Sequence, residues 1–385
     1  MSSHDLLSRP VVCILSLSLI GATLCGAEPA TSAAEPLPVT ERDGVGFADA
    51  RALGIEGQGW PAAHFAAPFD RLPAKAQDKV RPDVWNLSRH AAGVCVRFVA
   101  DTPAIHARWT LTSAQLAMNH MPATGVSGLD LYARDDAGHW RWVACGIPKA
   151  DGQEQAGILA DGLSPGKREW LLYLPLYNGV SQVEIGVPAG ATLEKAPAYV
   201  GDWGKPIVFY GTSITQGACA SRPGMCHTAI LHRRYGRPVV NLGFNGNGRM
   251  EPELGGLLAE IDAAVYVIDC CPNLDAAAIS TRTAPLVEIL RKARPDTPIL
   301  LVEDRRYTDD WIRPVKNAHN DINHAALRTA FDGLVAAGVP GLHYLGGGNL
   351  LAEDGEGTVD SSHPTDLGFV DHARAFTRVL DPLIR

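Results

Sequence analysis

From about residue 197 onward the chain alternates short apolar runs with helix-length segments, and this pattern leaves few folds open. Ile207–Tyr210, Val239–Leu242, Val265–Asp269, Ile299–Val302 and Leu342–Leu345 are the apolar runs. The segments 224–235, 251–261, 275–293, 319–337 and 366–380 have the length and composition of helices. A strand that is apolar at nearly every position must be buried on both faces. Strands alternating with helices supply that cover as a parallel sheet with helices on either side. The crossovers are expected to be right-handed.

The preceding stretch reads differently. Residues 93–100, 104–111, 129–134, 140–144, 170–174 and 183–187 are short apolar or alternating runs punctuated by Gly, Pro, Asp and Asn. No helical run interrupts them, so an all-β sandwich over 81–196 is expected. Residues 28–80, rich in Ala, Pro and Gly, read as a linker and irregular lead-in, and 197–385 as the α/β domain. At 385 residues the chain is long enough for two such domains.

Residues 1–27 read as a signal peptide. Arg9 precedes an apolar core, Val11 to Leu24, that is too short to span a bilayer, and Cys25 and Ala27 place small residues at a cleavage site. Leu24 is not the small residue that a lipidation site wants before Cys25. The mature chain is therefore expected to be secreted or periplasmic, with no membrane span after cleavage. Six cysteines would remain in a compartment that permits disulfides. Cys219 and Cys226 are near enough in sequence to bridge a loop, while Cys270 and Cys271 end an apolar strand and read as buried thiols. No CxxC pair calls for structural zinc. The net charge of −8 gives no basic footprint for nucleic acid.

In a parallel sheet of this kind ligands bind beyond the carboxyl ends of the strands. The residues that follow those ends are therefore the test of function. They are Gly211-Thr212-Ser213-Ile214-Thr215; Asn241 to Gly248; Cys270-Cys271-Pro272-Asn273; and, after the fifth strand, Asp360-Ser361-Ser362-His363. Acyl transfer needs this set. A serine hydroxyl is a weak nucleophile until a base takes its proton. His363 can be the base for Ser213, with Asp360 fixing the imidazole tautomer. The oxyanion of the tetrahedral intermediate needs donors already in place. The backbone N–H groups of Ser213 and Gly246 and the side-chain amide of Asn273 can supply them.

These four blocks, in order and spacing, resemble those of the SGNH (GDSL-like) hydrolases. Gly211-Thr212-Ser213 stands where that family has GDS, Gly246 at its block-two glycine, Asn273 at its block-three asparagine, and Asp360 with His363 at its DxxH. Two departures stand out: Thr212 replaces the usual Asp, and Cys271 stands where a Gly is common. Upstream, Gly128-Leu129-Asp130-Leu131-Tyr132 resembles the GxDLY signature of a β-domain that precedes one branch of the family. The segments 174–179 and 217–225 are similar to that branch too. The resemblance implies a three-layer α/β/α SGNH hydrolase domain after the β-sandwich, and a serine esterase with no cofactor and no metal. It also implies a small acyl group, often acetyl, on a carbohydrate or other small-molecule ester. An acyltransferase with the same triad, or a carbohydrate-binding protein with an inactive hydrolase domain, are the rival expectations.

Other polar residues invite weaker readings. His319 and His324 are five apart and read as surface residues rather than a metal pair. Glu303, Asp304, Arg305 and Arg306 end the fourth strand and read either as a solvated loop or as a substrate rim. Asn119, His120, Arg222 and His227 are candidates to face substrate, with a structural role the simpler reading. Asn273 has a rival role as the cap of the helix that follows it.

Overall fold

The computed structural model describes residues 37–149 and 152–384. The segment read as a signal peptide lies outside the described residues. In the first half the strands are β1 (Val39–Arg42), β2 (Val45–Asp49), β3 (Ile55–Glu56), β4 (Cys95–Asp101), β5 (Ile105–Leu111), β6 (Leu129–Arg134), β7 (Trp140–Gly146), β8 (Glu154–Ala160), β9 (Arg168–Tyr173), β10 (Val180–Pro188) and β11 (Thr192–Lys195). Short helices α1 (Ala50–Leu53), α2 (Pro82–Ser88) and α3 (Ala123–Val126) lie among them.

Two antiparallel sheets result, in the orders β1-β2-β10-β5-β8 and β11-β4-β9-β6-β7, with β3 beside β4. Their facing sides share one core. Ala107 and Trp109 of β5 and Ile185 of β10 meet Phe98 of β4, Leu131 of β6 and Leu172 of β9. Alternation sets this up: along β5, Ile105, Ala107, Trp109 and Leu111 are buried while His106, Arg108 and Thr110 are not. The outer face of the second sheet is buried as well, with Cys95, Tyr132, Leu171 and Tyr173 packed on Ala229 of the α/β layers. That is why β9 reads as a nearly continuous apolar run.

Strands at 39–49 correct the reading of 28–80 as irregular, and α2 corrects the absence of helix after residue 81. The strands that sequence patterning did not single out include β1, β8 and β11. All three are sheet edges, where one-sided packing demands few apolar residues.

The second half carries five parallel strands, β12 (Ile207–Gly211), β13 (Val239–Gly243), β14 (Val265–Asp269), β15 (Ile299–Val302) and β16 (Leu342–Leu345), in the order β13-β12-β14-β15-β16. The helices are α4 (Ser213–Gln216), α5 (His227–Tyr235), α6 (Pro252–Leu258), α7 (Ala276–Ala293), α8 (Pro314–Ala336) and α9 (Asp366–Ile384). Successive residues of β12 point into different cores. Ile207 and Phe209 join Leu231 of α5 and Phe376 of α9, while Val208 and Tyr210 join Leu254 of α6 and Leu286 of α7. Full burial of each such side chain is worth about 1.5–3 kcal/mol, so the doubly apolar strand is fixed at the centre of three layers. Helix α8 begins at Pro314, ahead of the expected start at 319, because proline suits the first helical position. The strand order reverses around β12, so the crevice above β12 and its neighbours is where this architecture places a ligand.

Candidate active site

Ser213 opens α4 directly beyond β12. Thr212 caps this helix: its hydroxyl accepts from the Ile214 N–H at 3.3 Å, and the Thr212 N–H donates to the Thr215 hydroxyl at 3.3 Å. Threonine at 212 thus does local work as a helix cap in place of the aspartate common in the family. The helix is held from three further directions. The Tyr177 hydroxyl donates to the Ser213 carbonyl at 3.1 Å, the Asn241 amide to the Thr215 carbonyl at 2.7 Å, and the Thr215 hydroxyl to Asp269 at 2.8 Å. Ser213 is 6% exposed, so little of its side chain meets solvent.

The Asp360–His363 turn faces it. Ser213 Oγ lies 2.9 Å from His363 Nε2, and His363 Nδ1 lies 2.8 Å from Asp360 Oδ2. Asp360 Oδ1 accepts the backbone N–H groups of Ser362 at 3.0 Å and His363 at 2.7 Å. Partial burial works to raise the Asp360 carboxyl. The backbone N–H and imidazole of His363 outweigh it and hold the group below the usual carboxylate range. Asp360 is therefore an anion wherever His363 needs one. A hydroxyl, an imidazole and a carboxylate in one hydrogen-bonded chain can deliver a proton from Ser213 to His363 and stabilise the cation that forms.

Gly246 and Asn273 lie on the two loops that flank Ser213, beyond β13 and β14. The loops touch each other and β12. The Phe244 N–H donates to the Gly211 carbonyl at 3.0 Å, and the Asn273 side-chain amide donates to the Gly248 carbonyl at 3.3 Å. Gly248 sits so close to the Gly211 carbonyl that a Cβ there would overlap it. Gly246 has φ +67°, a conformation that favours glycine. Asn273 does not cap the next helix: Asp275 does, accepting from the Ala278 N–H at 2.8 Å. An amide carries two N–H donors, so the Asn273 side chain can hold Gly248 and still present one to a ligand.

The remaining sequence candidates separate cleanly. His227 is buried between Phe369 and Phe376, which burial and His372 keep neutral, its pKa well below the usual value. Arg222 donates to Asp130 at 2.7 Å, and the Gly224 N–H also donates to Asp130 at 2.7 Å. The aspartate of the GxDLY segment is thus a fastener between the sandwich and the α/β layers. Its neighbours 174–179 act likewise, since Leu176 and Tyr177 hold α4. His120 stands at the site: it is exposed, and its ring lies edge-on to His363 at 5.8 Å between centroids. Asn119 is exposed. Asp304 and Arg305 are buried, at 0% and 2% exposure, in the irregular segment after β15, which corrects their reading as a solvated loop or substrate rim. His324 is also no surface residue; its Nε2 lies 2.7 Å from the Asp304 carbonyl. The six described cysteines are all free, so Cys219 and Cys226 form no bridge.

Two clusters of described residues have the donor types of a metal site, His120 with Asp360 and His363, and Glu56 with Cys95 and His232. The principal donors already serve each other or neighbours: Asp360 and His363 as above, Glu56 with Arg97 and Tyr199, His232 with Tyr173. Chelator treatment is expected to leave the rate unchanged, because the triad and its donors suffice for acyl transfer. A loss of activity that zinc or calcium restores would count against this.

The fold and this serine–histidine–aspartate geometry define the SGNH type of hydrolase. Residues 204–381 match the GDSL-like lipase/acylhydrolase family, and residues 45–193 match the GxDLY N-terminus of esterases of the SGNH-hydrolase type. The crystal structure of a protein assigned as a GDSL-like lipase from Bacteroides ovatus ATCC 8483 is 32% identical, with TM-score 0.82, over 88% of this chain and 98% of that one. The chain belongs to the GDSL-like lipase/acylhydrolase family and is a carboxylic ester hydrolase. The salicylyl-acyltransferase SsfX3 of a tetracycline biosynthetic pathway shares the fold at 20% identity and TM-score 0.65, over 91% of this chain and 95% of that one. A family-two carbohydrate esterase from Clostridium thermocellum, solved with cellohexaose, does so at 14% identity and TM-score 0.54, over 76% and 92%. No curated protein matches the chain.

Proposed function

We propose that the enzyme removes short acyl groups, acetyl foremost, from a carbohydrate ester through an acyl-Ser213 intermediate. The unbroken chain from Ser213 Oγ through His363 to Asp360 carries this reading. Ser213 Oγ attacks the ester carbonyl while His363 Nε2 takes its proton. The carbonyl oxygen becomes an oxyanion that accepts from the N–H groups of Ser213 and Gly246 and from the Asn273 amide. His363 then protonates the departing alcohol oxygen, leaving the acyl group on Ser213. Water repeats the sequence in reverse and frees the carboxylic acid. The intact triad speaks against an inactive, purely sugar-binding role.

The carbohydrate part of the proposal draws on the fold shared with the family-two carbohydrate esterase, and its rival, transfer to another alcohol, on the fold shared with the acyltransferase. Release of acetate from acetylated polysaccharides, measured with and without a sugar-alcohol acceptor, decides between them. Acetate without an acylated acceptor supports hydrolysis. An acylated acceptor that dominates the products identifies a transferase. Export of the mature chain after Ala27 is part of the same proposal, and N-terminal sequencing of the exported protein tests it.

The oxyanion assignment has its own test. Asn273→Ala is expected to lower kcat by about 10²–10³-fold with little change in KM, as loss of a transition-state donor does. Because Asp275 caps α7, the melting temperature should fall only by what the lost bond to the Gly248 carbonyl contributes, about 1 kcal/mol. A normal kcat would leave Ser213 and Gly246 as the donors.

A further inference from the structure

We infer that Arg305, held by Asp304, is the positioning residue that sets His363 at hydrogen-bonding distance from Ser213; this rests on the reading of Ser213, His363 and Asp360 as the reacting triad. The turn that carries the base is held only in part by its own bonds, those from the Ser362 and His363 N–H groups to Asp360. Ser361, within it, has φ +69°, a region that residues with a Cβ avoid. Contacts from outside the turn add to those bonds.

The guanidinium of Arg305 grips Ser362, the residue between Ser361 and His363, with two donors. Nε donates to the Ser362 carbonyl at 3.0 Å, and Nη2 donates to the Ser362 hydroxyl. Its remaining edge is paired with Asp304, and its face lies 4.2 Å above the Tyr307 ring. Asp304 is itself fixed by the Asn320 amide at 3.4 Å, and Asn320 also donates to the Arg305 carbonyl at 3.1 Å. The guanidinium is thus held by Ser362 and Asp304 at its edges and by Tyr307 at its face. Thr308 N–H and Lys316 Nζ also reach Ser361, at 3.1 Å and 2.5 Å, but Lys316 is part-exposed whereas Arg305 is enclosed.

As a device for stability alone this pair is an odd choice, since a buried ion pair commonly does no better than well-packed apolar residues. What it supplies is direction: a planar fork fixes two atoms of Ser362 where a point charge or an apolar chain fixes none. The pair also lies near the other half of the triad. Burial pushes the Asp269 carboxyl, which accepts the Thr215 hydroxyl of α4, up to about 7; Thr215 opposes the rise, Asp304 adds to it and Arg305 opposes it. One buried polar cluster therefore abuts both the helix that carries Ser213 and the turn that carries His363.

The test uses Arg305→Lys and the double variant Arg305→Met with Asp304→Asn, in the full-length protein. Lysine keeps a charge opposite Asp304 but cannot bond Ser362 at two atoms. The double variant leaves no unpaired buried charge. Both are expected to melt near the wild type, to keep KM within about three-fold and to lose at least about 10-fold in kcat, as misplacement of a reacting group by a fraction of an ångström does. The downfield imidazole proton shared by His363 and Asp360 should broaden or shift in their NMR spectra. Wild-type kcat in folded Arg305→Lys overturns the inference. So does a kcat loss that only tracks the unfolded fraction, and if the double variant fails to fold Arg305→Lys decides alone. Labelling of Ser213 by a fluorophosphonate in the wild type, and its loss in Ser213→Ala, tests the triad reading separately.

Discussion

Ser213→Ala is expected to lower kcat by about 10⁶-fold while the protein stays folded, the size of loss seen when a serine hydrolase is stripped of its nucleophile. The hydroxyl makes one bond that matters, to His363 Nε2 at 2.9 Å. The features that hold α4 do not use it. The Thr212 cap, the Tyr177 hydroxyl and the Asn241 amide all bond the helix backbone, and these remain in the variant. The melting temperature should therefore move little. The proposed oxyanion donors survive too, so binding of a substrate ester should persist with near-normal affinity. Calorimetry for folding and steady-state rates on an aryl acetate check both halves. A folded Ser213→Ala enzyme with undiminished kcat would remove Ser213 from the chemistry and, with it, the acyl-enzyme route.

Asp360→Asn is expected to cost about 10⁴-fold in kcat, through the tautomer of the base rather than through its position. Asp360 Oδ1 accepts two backbone N–H groups, from Ser362 and His363, so an amide at 360 must place its oxygen there. Its NH₂ then faces His363 Nδ1, which turns from donor to acceptor. The imidazole proton moves to Nε2 and points at Ser213 Oγ, where it blocks the removal of the serine proton. The turn itself stays intact, because both backbone bonds to position 360 are kept. Nitrogen NMR of the histidine reports the tautomer, and kcat reports the consequence. A kcat within about ten-fold of wild type would show that Asp360 does not govern the base, against the behaviour of such triads.

The sandwich and the α/β layers differ in how far their sequences disclose them. A central parallel strand is apolar on both faces, so Val265–Asp269 and Ile299–Val302 carry their boundaries in composition. An edge strand need bury only one side of a few residues. Glu154–Ala160 and Thr192–Lys195 accordingly look like loops until the neighbouring strand supplies their hydrogen bonds. The same limit applied to the lead-in, where Val39–Arg42 is a strand only because β2 lies alongside it.

For the candidate site, local sequence determined which residue types stand beyond which strand end: Ser213 after the first, Gly246 and Asn273 after its two neighbours, Asp360 and His363 after the last. Side-chain chemistry and the rule for open sheets were enough for that. Whether these groups touch was decided by tertiary structure, because Ser213 and His363 are separated by 150 residues and only the stacking of β12 against its neighbours and the return of the chain into α9 bring them to 2.9 Å. The same holds for Asp304 and Arg305. Charge at a strand end reads as solvated when only the sequence is known, since a lone buried charge is too costly. The fold buries both by giving each its partners, Asn320 from α8 and Ser362 from the catalytic turn, and no local pattern announces partners that lie 16 and 57 residues away.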